Sequence, residues 1–442
     1  MAYKVVLKYH QRTMLWFFYN FAFVLIVILA SPYLLWLCVS SRRHRMGILN
    51  KLGLVGLKSL KNKFKPEDRP IWIHSVSVGE VLASLPLIDE LKKKHPVCLS
   101  TTTATGYQVA VSKCSVGVAV FYYPFDISFI VKKFLKTLHP RMIILMESEF
   151  WPGLILRAHK NKIPVLVLNG RISPSSQKLY RYFKLFYHHL FKRVKFFGVQ
   201  SHELKQFLMN LGVEGEKIQV TGNIKFDLAI PEGFRGGEFS FPVLTAASTH
   251  VGEETIILNI YKKLREKFKT LKLVLIPRHH ERLREVKKNV VDILGREPAI
   301  RDKYQSLVFK WLSQNHDVFL VGTFGELLEF YSASTLVFVG KSLFSPGGGQ
   351  NIIEPCALGR AVLCGPYMSN FREVTEYFLE ESAIIQTYSE ELEKHIFHLL
   401  EDEKARKDLE GHARRAVYKK RGIVNKNIEI IESIIRSLRT LR

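Results

Sequence analysis

The sequence predicts two doubly wound α/β domains behind an N-terminal transmembrane helix. Three observations support this fold class. Short, continuous apolar runs alternate with amphipathic helical segments, which is typical of parallel sheets covered by helices on both faces. The alternation breaks once, at a Pro- and Gly-containing stretch over 228–240, and then resumes. The length of 442 residues suits two domains of about 150–200 residues each.

The N-terminal segment predicts a membrane anchor. Residues 14–41 contain no charged side chain and would extend about 42 Å as a helix, more than the roughly 30 Å hydrocarbon core of a bilayer. Trp16 and Trp36 lie near its two ends, where interfacial aromatic residues are common. The alternative is a cleaved signal peptide, whose apolar region usually spans only about 7–15 residues. We therefore predict an uncleaved anchor within residues 1–45.

The apolar runs that predict strands form two groups. Because the groups flank the interruption, we place the first α/β domain at 46–227, a linker at 228–241 and the second domain at 242–442, which ends in charge-rich helices. Ligands of such domains bind at the carboxyl ends of the strands. The runs lie at 71–73, 97–100, 118–122, 142–146, 165–168, 196–199 and 218–220, and then at 243–246, 273–276, 318–321, 336–339 and 361–364.

The charge distribution indicates an anionic partner. The formal net charge is +25, and residues 1–70 contain twelve Lys or Arg against two acidic residues. Because this excess coincides with the apolar segment, we predict a membrane surface rather than a nucleic acid as the partner. Residues 178–195 (KLYRYFKLFYHHLFKRVK) combine six basic and six aromatic residues. This pattern fits base stacking or an interfacial helix, and the anchor favours the helix.

Several common sites are absent from the sequence. There is no Gly-x4-Gly-Lys-Ser/Thr loop, no Gly-x-Gly-x-x-Gly after a strand, no His-Glu-x-x-His and no Asp-x-Asp. The five cysteines include no Cys-x-x-Cys pair, which argues against a disulfide scaffold or a zinc site. We therefore predict no metal and no cofactor, and look for polar residues at strand ends.

The first candidate is Glu80, in HSVSVGE (74–80) between a strand and a helix. The positive field of a helix N-terminus should keep its carboxylate ionised. An ionised carboxylate at a cleft can accept the proton of an attacking hydroxyl. The alternative is an ordinary N-terminal helix acid. His74, in the same segment, is interpreted as an orienting or core histidine.

Two more candidates follow other strands of the first domain. Glu147 and Glu149 stand two residues apart after the run 142–146, so one can face a cleft while the other is structural. Burial beside an aromatic residue would raise the pKa of such an acid. Lys225 follows the last strand and suits a leaving phosphate or a substrate carboxylate. A surface pair between Lys225 and Asp227 is the alternative.

The second domain carries the glycine-rich segment GGGQNIIEP (347–355). Its glycines would let backbone N–H groups approach a phosphate, and a following helix start would add its dipole. Glu354 could then accept both hydroxyls of a ribose. The alternative is a flexible turn. The segments ASTH (247–250), PRHH (277–280) and GEL (325–327) also follow strands or lie near them.

Taken together, these segments resemble the 3-deoxy-D-manno-octulosonic acid (Kdo) transferases of lipopolysaccharide synthesis. The matching pieces run in family order across residues 74–355. They are HSVSVGE (74–80), TTTATG (101–106), ESEFWPG (147–153), NGRIS (169–173), TGNIKFD (221–227), ASTHVGEE (247–254), PRHHER (277–282) and GGGQNIIEP (347–355).

The resemblance implies a GT-B fold and transfer of one or more Kdo residues from CMP-Kdo to a lipid A precursor such as lipid IVA. It implies inversion at the anomeric carbon, no required metal, an acceptor-binding first domain and a donor-binding second domain. The base maps onto Glu80, with Glu149 and Lys225 in support. Because activated donor is made in the cytosol, the domains should face the cytoplasm from the bacterial inner membrane. Donor contacts map onto Pro277, Arg278, Phe324, Gly325, Glu326, Asn351, Ile352, Ile353 and Glu354.

The chain departs from the family pattern at two places. Gly322 stands where many members carry Asp, and Gln350 stands where many carry His. Two other functions stay open at this stage. One is a membrane-associated GT-B enzyme that uses a UDP-sugar, and the other is a non-enzymatic, membrane-tethered binder of anionic polymers.

Overall fold

The computed structural model describes Tyr19, Leu25 and residues 27–40, 42–227, 239–303, 307–323 and 325–440. These residues form two compact units. Unit 1 contains the described residues up to Asp227 together with those from Gly422 onward, and unit 2 contains the residues between them. The predicted fold of two parallel-sheet α/β domains is confirmed, and the C-terminal residues belong to the first unit.

Unit 1 contains a seven-stranded parallel sheet in the order β3-β2-β1-β4-β5-β6-β7. Its strands are β1 Ile71–His74, β2 Val97–Thr101, β3 Ala119–Tyr122, β4 Met142–Met146, β5 Val165–Gly170, β6 Phe196–Val199 and β7 Ile218–Val220. Its helices are α1 Ser31–Ser40, α2 Arg42–Lys51, α3 Leu57–Lys63, α4 Val78–Leu91, α5 Ala104–Lys113, α6 Ser128–Leu138, α7 Pro152–Lys160, α8 Pro174–Tyr182, α9 Lys184–Phe191 and α10 His202–Asn210.

Unit 2 contains a second seven-stranded parallel sheet, in the order β10-β11-β9-β8-β12-β13-β14. Its strands are β8 Val243–Thr249, β9 Lys272–Pro277, β10 Ala299–Arg301, β11 Val318–Val321, β12 Leu336–Val339, β13 Ala361–Cys364 and β14 Ile385–Gln386. Its helices are α11 Glu253–Lys267, α12 Leu283–Leu294, α13 Val308–Leu312, α14 Leu327–Ala333, α15 Ile353–Ala357, α16 Arg372–Glu380, α17 Ser389–Glu401 and α18 Glu403–Lys419, and α19 Ile423–Thr440 belongs to unit 1.

Each of the twelve predicted strands is present. Most of them are fully buried on both faces, which is why they read as continuous apolar runs, whereas β7 at the edge of the first sheet exposes Gln219. The sequence missed β10 and β14, the two edge strands of the second sheet, which have three and two residues. β10 ends in a charged arginine and β14 pairs one isoleucine with a glutamine, so neither contains a continuous apolar run.

The C-terminal helix α19 differs from the prediction, which assigned residues 242–442 to the second domain. In unit 1, Asp227 accepts hydrogen bonds from the backbone N–H groups of Gly422 and Val424 at the start of this helix. Ile431 and Ile435 are buried, and Glu432 contacts His95 at 2.9 Å. The helix returns to unit 1 because its amphipathic face and its N-terminal N–H groups find partners there.

Part of the predicted linker packs on unit 2. Residues 228–238 lie outside the described part of the chain. Phe239 and Phe241 stack with ring centroids 4.6 Å apart, and both pack against the core cluster that contains Trp311. The Lys272 ammonium lies 4.2 Å from the centre of the Phe241 ring. The final residues of the predicted linker are therefore part of the unit.

Most of the predicted anchor lies outside the described residues. Within the described ranges, no helix is both long and apolar enough to cross a bilayer. The described residues of the segment do not stand apart from unit 1, because Val27 packs against its core cluster and the Tyr19 hydroxyl bonds Asp126. Leu29, Trp36 and other large apolar side chains of the segment are exposed.

Candidate active site

The carboxyl edge of the first sheet carries three carboxylates and one lysine. The strand order reverses between β1 and β4, which pair with each other although β2 and β3 separate them in sequence. Ligands of doubly wound sheets bind at such a switch point. Glu80 lies after β1, Glu147 and Glu149 lie after β4, and Lys225 lies after β7. The structure brings these four side chains within electrostatic reach of one another.

Glu80 and Ser77 cap the start of α4 in a variant of the capping box, in which the carboxylate accepts the N–H of the residue before the N-cap. Ser77 is the N-cap, and its hydroxyl accepts the Glu80 N–H at 3.3 Å and donates to Glu80 Oε1 at 3.0 Å. The backbone N–H of Val76 donates to Glu80 Oε2 at 2.8 Å. These bonds turn the carboxylate back over the loop that follows β1, so its direction is fixed by the local sequence.

The pKa of Glu80 lies above its usual range. Burial is the main cause and nearby Glu147 adds to it, while the bonds from Val76 and Ser77 and the charge of Lys225 oppose the rise. The sequence predicted that the helix N-terminus would hold this group ionised. The N–H of Val76 and the hydroxyl of Ser77 do favour the ionised form, but burial and the charge of Glu147 outweigh them, so the net shift of the pKa is upward. A carboxylate with a raised pKa is a stronger base.

Glu147 is the ion-pair partner of Lys225. The Lys225 ammonium lies 3.3 Å from Glu147 Oε1, and the Arg171 Nε lies 4.0 Å from Glu147 Oε2. Glu147 adopts φ 55°, a left-handed conformation that costs a non-glycine residue of order 1–3 kcal/mol. The backbone therefore turns sharply at the end of β4. Lys225 pairs with Glu147, a partner that the alternative of a Lys225–Asp227 surface pair did not include.

Glu149 has the most strongly raised pKa of the cluster. Burial and the charge of Glu80 raise its pKa to about 7, the indole of Trp151 opposes the rise, and Glu147 adds to it. The interpretation that an acid beside an aromatic residue here would have a raised pKa is confirmed. At neutral pH this carboxyl is close to half protonated, so it can hold a proton next to an ionised neighbour.

Lys225 is positioned by two asparagines. It lies on a short 3-10 helix, Ile224–Asp227, whose first backbone N–H donates to Asn169 Oδ1 at 3.0 Å. The Lys225 N–H donates to Asn223 Oδ1 at 3.1 Å. Asn169 is fully buried, at φ 55° in β5. Its segment, NGRIS (169–173), resembles the family pattern, but nothing in the sequence indicated that Asn169 places Lys225.

His74 is a core residue beneath the loop that carries Glu80, at the end of β1. Its side chain is fully buried, and burial lowers its pKa to about 3, so the ring is neutral at physiological pH. Its Nδ1 lies 3.1 Å from the Ser100 carbonyl oxygen, and its ring stacks on Tyr123 with centroids 4.1 Å apart. The interpretation of His74 as an orienting core residue is confirmed.

In unit 2, Arg278 lies at the carboxyl edge of the sheet. It follows β9 directly with an exposed side chain, while Pro277 is the buried last residue of that strand. Gly325 has φ 83°, and a Cβ built there would meet nothing within 4 Å. Phe324 lies outside the described residues. Of these four predicted donor contacts, Arg278 offers a charged group and Gly325 offers open space beside the backbone.

The side chain of Glu326, another predicted donor contact, is engaged within the unit. Arg301 binds it through Nε at 3.0 Å and through Nη2 at 2.5 Å, and the Thr323 hydroxyl also donates to it. Burial opposes ionisation, but Arg301 and Thr323 prevail and lower the pKa of Glu326. The carboxylate thus holds its loop in place, and a ligand would have to compete with these donors.

The segment 351–354 also has internal partners. Asn351 donates through Nδ2 to Glu354 Oε1 at 2.9 Å and accepts the Ile353 N–H at 3.1 Å. The side chains of Ile352 and Ile353 are 0% and 1% exposed. These two isoleucines could therefore reach a ligand only through main-chain atoms, whereas Asn351 and Glu354 are partly exposed.

The sequence predicted that the backbone N–H groups of the glycine turn are available to a phosphate. In the structure two of these groups already have partners within the unit. The N–H of Gly348 donates to the Tyr367 carbonyl at 2.9 Å and that of Gly349 donates to the Lys341 carbonyl at 2.8 Å. The prediction is wrong for these two residues.

The glycine at position 322, where the family pattern often has Asp, is matched by its surroundings. A Cβ at Gly322 would lie 2.3 Å from a methyl carbon of Leu283. Leu283 fills the room that a larger residue would need.

Within the described ranges, no group of three or more His, Cys, Asp or Glu side chains is arranged to hold a metal ion. The carboxylate of Glu80 accepts a backbone N–H. The carboxylate of Glu147 lies beside the cations Arg171 and Lys225.

Comparisons with known proteins agree on one family. The sequence profile described as 3-Deoxy-D-manno-octulosonic-acid transferase (kdotransferase) matches residues 42–228. A 3-deoxy-D-manno-octulosonic acid transferase of Haemophilus influenzae is 30% identical over 436 residues, which cover 94% of this chain and 98% of that protein. A protein of the same name from Chlamydophila psittaci is 29% identical over 350 residues, covering 74% of this chain and 78% of its own.

A solved structure gives a likeness of fold. The UDP-GlcNAc 2-epimerase of Neisseria meningitidis superposes with a TM-score of 0.60 and covers 83% of this chain and 100% of its own, at 16% identity. At that identity the likeness concerns the two-sheet α/β architecture alone.

We expect Glu149→Gln to change how stability depends on pH. The folded pKa of Glu149, about 7, exceeds an unfolded value of about 4.3. Between these values the folded state binds more protons, so the free energy of unfolding falls as the pH rises. Glutamine does not titrate and removes this loss. The melting temperature of the variant relative to the wild type should therefore increase from pH 5 to pH 8.

The matched control is Glu203→Gln, an exposed acid in α10. Its melting temperature should follow the wild type at each pH. A Glu149→Gln profile that runs parallel to the wild type from pH 5 to pH 8 would contradict the raised pKa.

Proposed function

We propose that this chain, which belongs to the 3-deoxy-D-manno-octulosonic acid (Kdo) transferase family, is a Kdo transferase of lipopolysaccharide biosynthesis. The proposed reaction transfers Kdo from CMP-Kdo to a lipid A precursor. The chain has the GT-B type of architecture, with two parallel-sheet α/β units. The observation that carries the proposal is the cluster of Glu80, Glu147, Glu149 and Lys225 at the switch point of the first sheet. It joins a candidate base, a proton-holding acid and a cation in one place.

Glu80 is the proposed general base. Its carboxylate would take the proton of an acceptor hydroxyl as the oxygen forms a bond to the anomeric carbon of Kdo. The bond from that carbon to the phosphate oxygen breaks, and CMP leaves with the electron pair. Attack on the face opposite CMP inverts the anomeric carbon. The capping bonds from Val76 and Ser77 hold the carboxylate in one direction before the acceptor arrives.

Glu149 and Lys225 are proposed to support this step. Two carboxylates in one site separate their protonation states, because both cannot ionise at low cost. Glu149, whose pKa is about 7, would hold a proton and donate a hydrogen bond while Glu80 stays ionised. Lys225 balances the charge of Glu147 at 3.3 Å and adds a positive field that favours an ionised Glu80 and the anionic sugar.

The donor is proposed to bind at the carboxyl edge of the second sheet. CMP-Kdo carries one phosphate and one carboxylate, and the exposed guanidinium of Arg278 suits either group. The partly exposed side chains of Asn351 and Glu354 could bind the ribose. Because protein cations would neutralise the leaving phosphate, we infer that transfer needs no metal, and activity that persists in EDTA tests this point.

We further propose that the enzyme works at the cytoplasmic face of the bacterial inner membrane, held there by its N-terminal segment, which contacts unit 1 through Tyr19 and Val27 and exposes other large apolar side chains. The exposed apolar side chains of α8 and α9 support a membrane contact on unit 1. Leu179, Tyr182, Phe183 and Leu185 are 48%, 83%, 50% and 82% exposed, and basic residues lie between them in sequence. Such a surface suits anionic lipid headgroups and a phosphorylated lipid acceptor.

The direct test incubates the purified full-length protein with a lipid A precursor and either CMP-Kdo or a UDP-sugar, followed by mass spectrometry of the lipid. We expect a mass increase equal to one or more Kdo residues with CMP-Kdo alone. Transfer from the UDP-sugar alone would contradict the proposal, and the number of mass steps would give the number of Kdo residues added.

Replacement of Glu80 by glutamine should lower kcat by about 10²–10⁴-fold, because an amide does not accept a proton at neutral pH. Glutamine can keep the cap, since its oxygen can accept the Val76 N–H and its amide group can donate to the Ser77 hydroxyl. The melting temperature and CMP-Kdo affinity should therefore change little. The control is Asp89→Asn, an exposed acid of the same helix, and near-normal turnover of Glu80→Gln would rule out the base assignment.

Loss of the exposed apolar residues of α8 and α9 should weaken membrane binding. We expect the double substitution Tyr182→Ser and Leu185→Ser to reduce partitioning into phosphatidylglycerol-containing vesicles by roughly tenfold, since two large apolar side chains lose their insertion. Sedimentation with vesicles measures the effect. Val116→Ser, at a fully exposed position elsewhere on unit 1, is the control, and equal partitioning of both variants would contradict a membrane contact at α8 and α9.

A further inference from the structure

Asp126 is a buried carboxylate that the proposed chemistry does not use. Its side chain is 1% exposed, and burial raises its pKa to about 6 against the hydrogen bonds that it accepts. Each of its oxygens accepts two hydrogen bonds, and the four donors come from three separate parts of unit 1. A buried carboxylate with this many donors fixes the relative positions of the segments that supply them.

Two of the donors belong to the helix that follows the acidic loop, which we define as residues 147–151. The backbone N–H of Gly153 donates to Asp126 Oδ2 at 2.6 Å, and that of Leu154 donates to Oδ1 at 2.8 Å. Asp126 therefore binds the first turn of α7, although it lies outside that helix. Gly153 is needed here because a Cβ would lie 2.5 Å from the Asp126 carbonyl oxygen. This contact accounts for the glycine that ends the ESEFWPG segment.

The third donor links Asp126 to the aromatic floor of the acidic loop. The Tyr123 hydroxyl lies 3.3 Å from Asp126 Oδ1. The Tyr123 ring packs against Trp151, with centroids 5.1 Å apart, and stacks on His74 at 4.1 Å. Trp151 is also the residue whose indole acts on the carboxyl of Glu149. A displacement of Asp126 would therefore shift the acidic loop in two ways, through the first turn of α7 and through the stacked rings of Tyr123 and Trp151.

The fourth donor comes from the N-terminal apolar segment. The Tyr19 hydroxyl donates to Asp126 Oδ2 at 2.7 Å, across 107 positions of sequence. The Tyr19 ring lies 6.2 Å from that of Phe186 in α9, and Val27 packs against the core of unit 1. The segment predicted as an anchor therefore contributes a polar contact to the interior of the unit that carries the acidic loop.

We infer that Asp126 is a positioning residue for the acidic loop, and that the Tyr19 hydroxyl makes the N-terminal segment part of the acceptor-side site. Loss of this hydroxyl leaves Asp126 Oδ2 with one donor in place of two, so the carboxylate holds the first turn of α7 less firmly. Glu149 and Trp151 then sample more positions relative to Glu80. The effect on turnover rests on the proposed function, whereas the effect on the loop does not.

The test compares Tyr19→Phe with Tyr33→Phe in the full-length protein. Both changes remove one hydroxyl from the N-terminal segment, but Tyr33 is 61% exposed and is the matched control. Hydrogen exchange followed by mass spectrometry reports on the peptide covering 147–157, and needs no substrate. We expect about tenfold faster exchange of this peptide in Tyr19→Phe, the factor for one hydrogen bond to a charged group. Tyr33→Phe should match the wild type.

Kinetics with CMP-Kdo and a lipid A precursor give the second readout. Tyr19→Phe should lower kcat by about tenfold with an unchanged KM for CMP-Kdo, because the donor site is placed in unit 2. Exchange and turnover of Tyr19→Phe that both equal those of Tyr33→Phe would overturn the inference. Faster exchange of the peptide in a protein whose wild type transfers no Kdo would instead refute the proposed function and leave the loop contact supported.

A second variant keeps the test decisive for Asp126 itself. In Asp126→Asn, one side-chain oxygen is replaced by an amide group that faces the N–H of Gly153 or of Leu154, so it should accelerate exchange in 147–157 more than Tyr19→Phe does. Combining the two substitutions should add little to Asp126→Asn alone, because both act through one carboxylate. Full additivity of the two changes in exchange would show that Tyr19 acts elsewhere.

Discussion

The burial of several carboxylates at one edge of the first sheet is the interaction on which the rest of the site depends. Taking a carboxylate out of water favours its neutral form, and a second negative charge nearby has the same effect. Glu80 and Glu149 show both influences in their raised pKa values. The charge of Lys225 offsets only part of the rise in the pKa of Glu80, because the ammonium pairs with Glu147 at 3.3 Å. The unit therefore keeps a base of raised pKa and a proton-holding acid side by side, which is the combination that a proton-abstracting transfer uses.

The backbone supplies this arrangement at a local cost. Glu147 and Asn169 both adopt φ 55° at the carboxyl ends of neighbouring strands, and such conformations concentrate where a site must be pre-formed. In unit 2, Ser248 and Lys341 adopt φ 57° and 59° at the ends of β8 and β12, the pair between which that sheet reverses its strand order. Both sheets thus bend the chain sharply at their switch points.

At the switch point of the second sheet, the carboxylate of Glu253 accepts four backbone N–H groups. It thereby holds the loops that follow β8 and β12.

The N-terminal segment contacts the unit that carries the acidic loop. Its exposed apolar side chains and those of α8 and α9 belong to one unit, the same unit that carries the acidic loop. Asp126 stands between them, since it receives the Tyr19 hydroxyl on one side and the first turn of α7 on the other. In the proposed function, in which the acceptor is a lipid, this placement would let the acidic loop acquire its final geometry where the acceptor is held.

The sequence alone determined the two parallel sheets, since most of the twelve predicted strands are apolar segments whose burial on both faces leaves a continuous signal. It also located Glu80, because an acid between an apolar strand and a helix start is a local pattern. Only the tertiary structure decided that Lys225 pairs with Glu147, that α19 returns to unit 1 and that the pKa of Glu80 rises. Each of these depends on burial and on distances between residues far apart in the chain. Periodicity and spacing report which face of an element is apolar, and do not carry those distances.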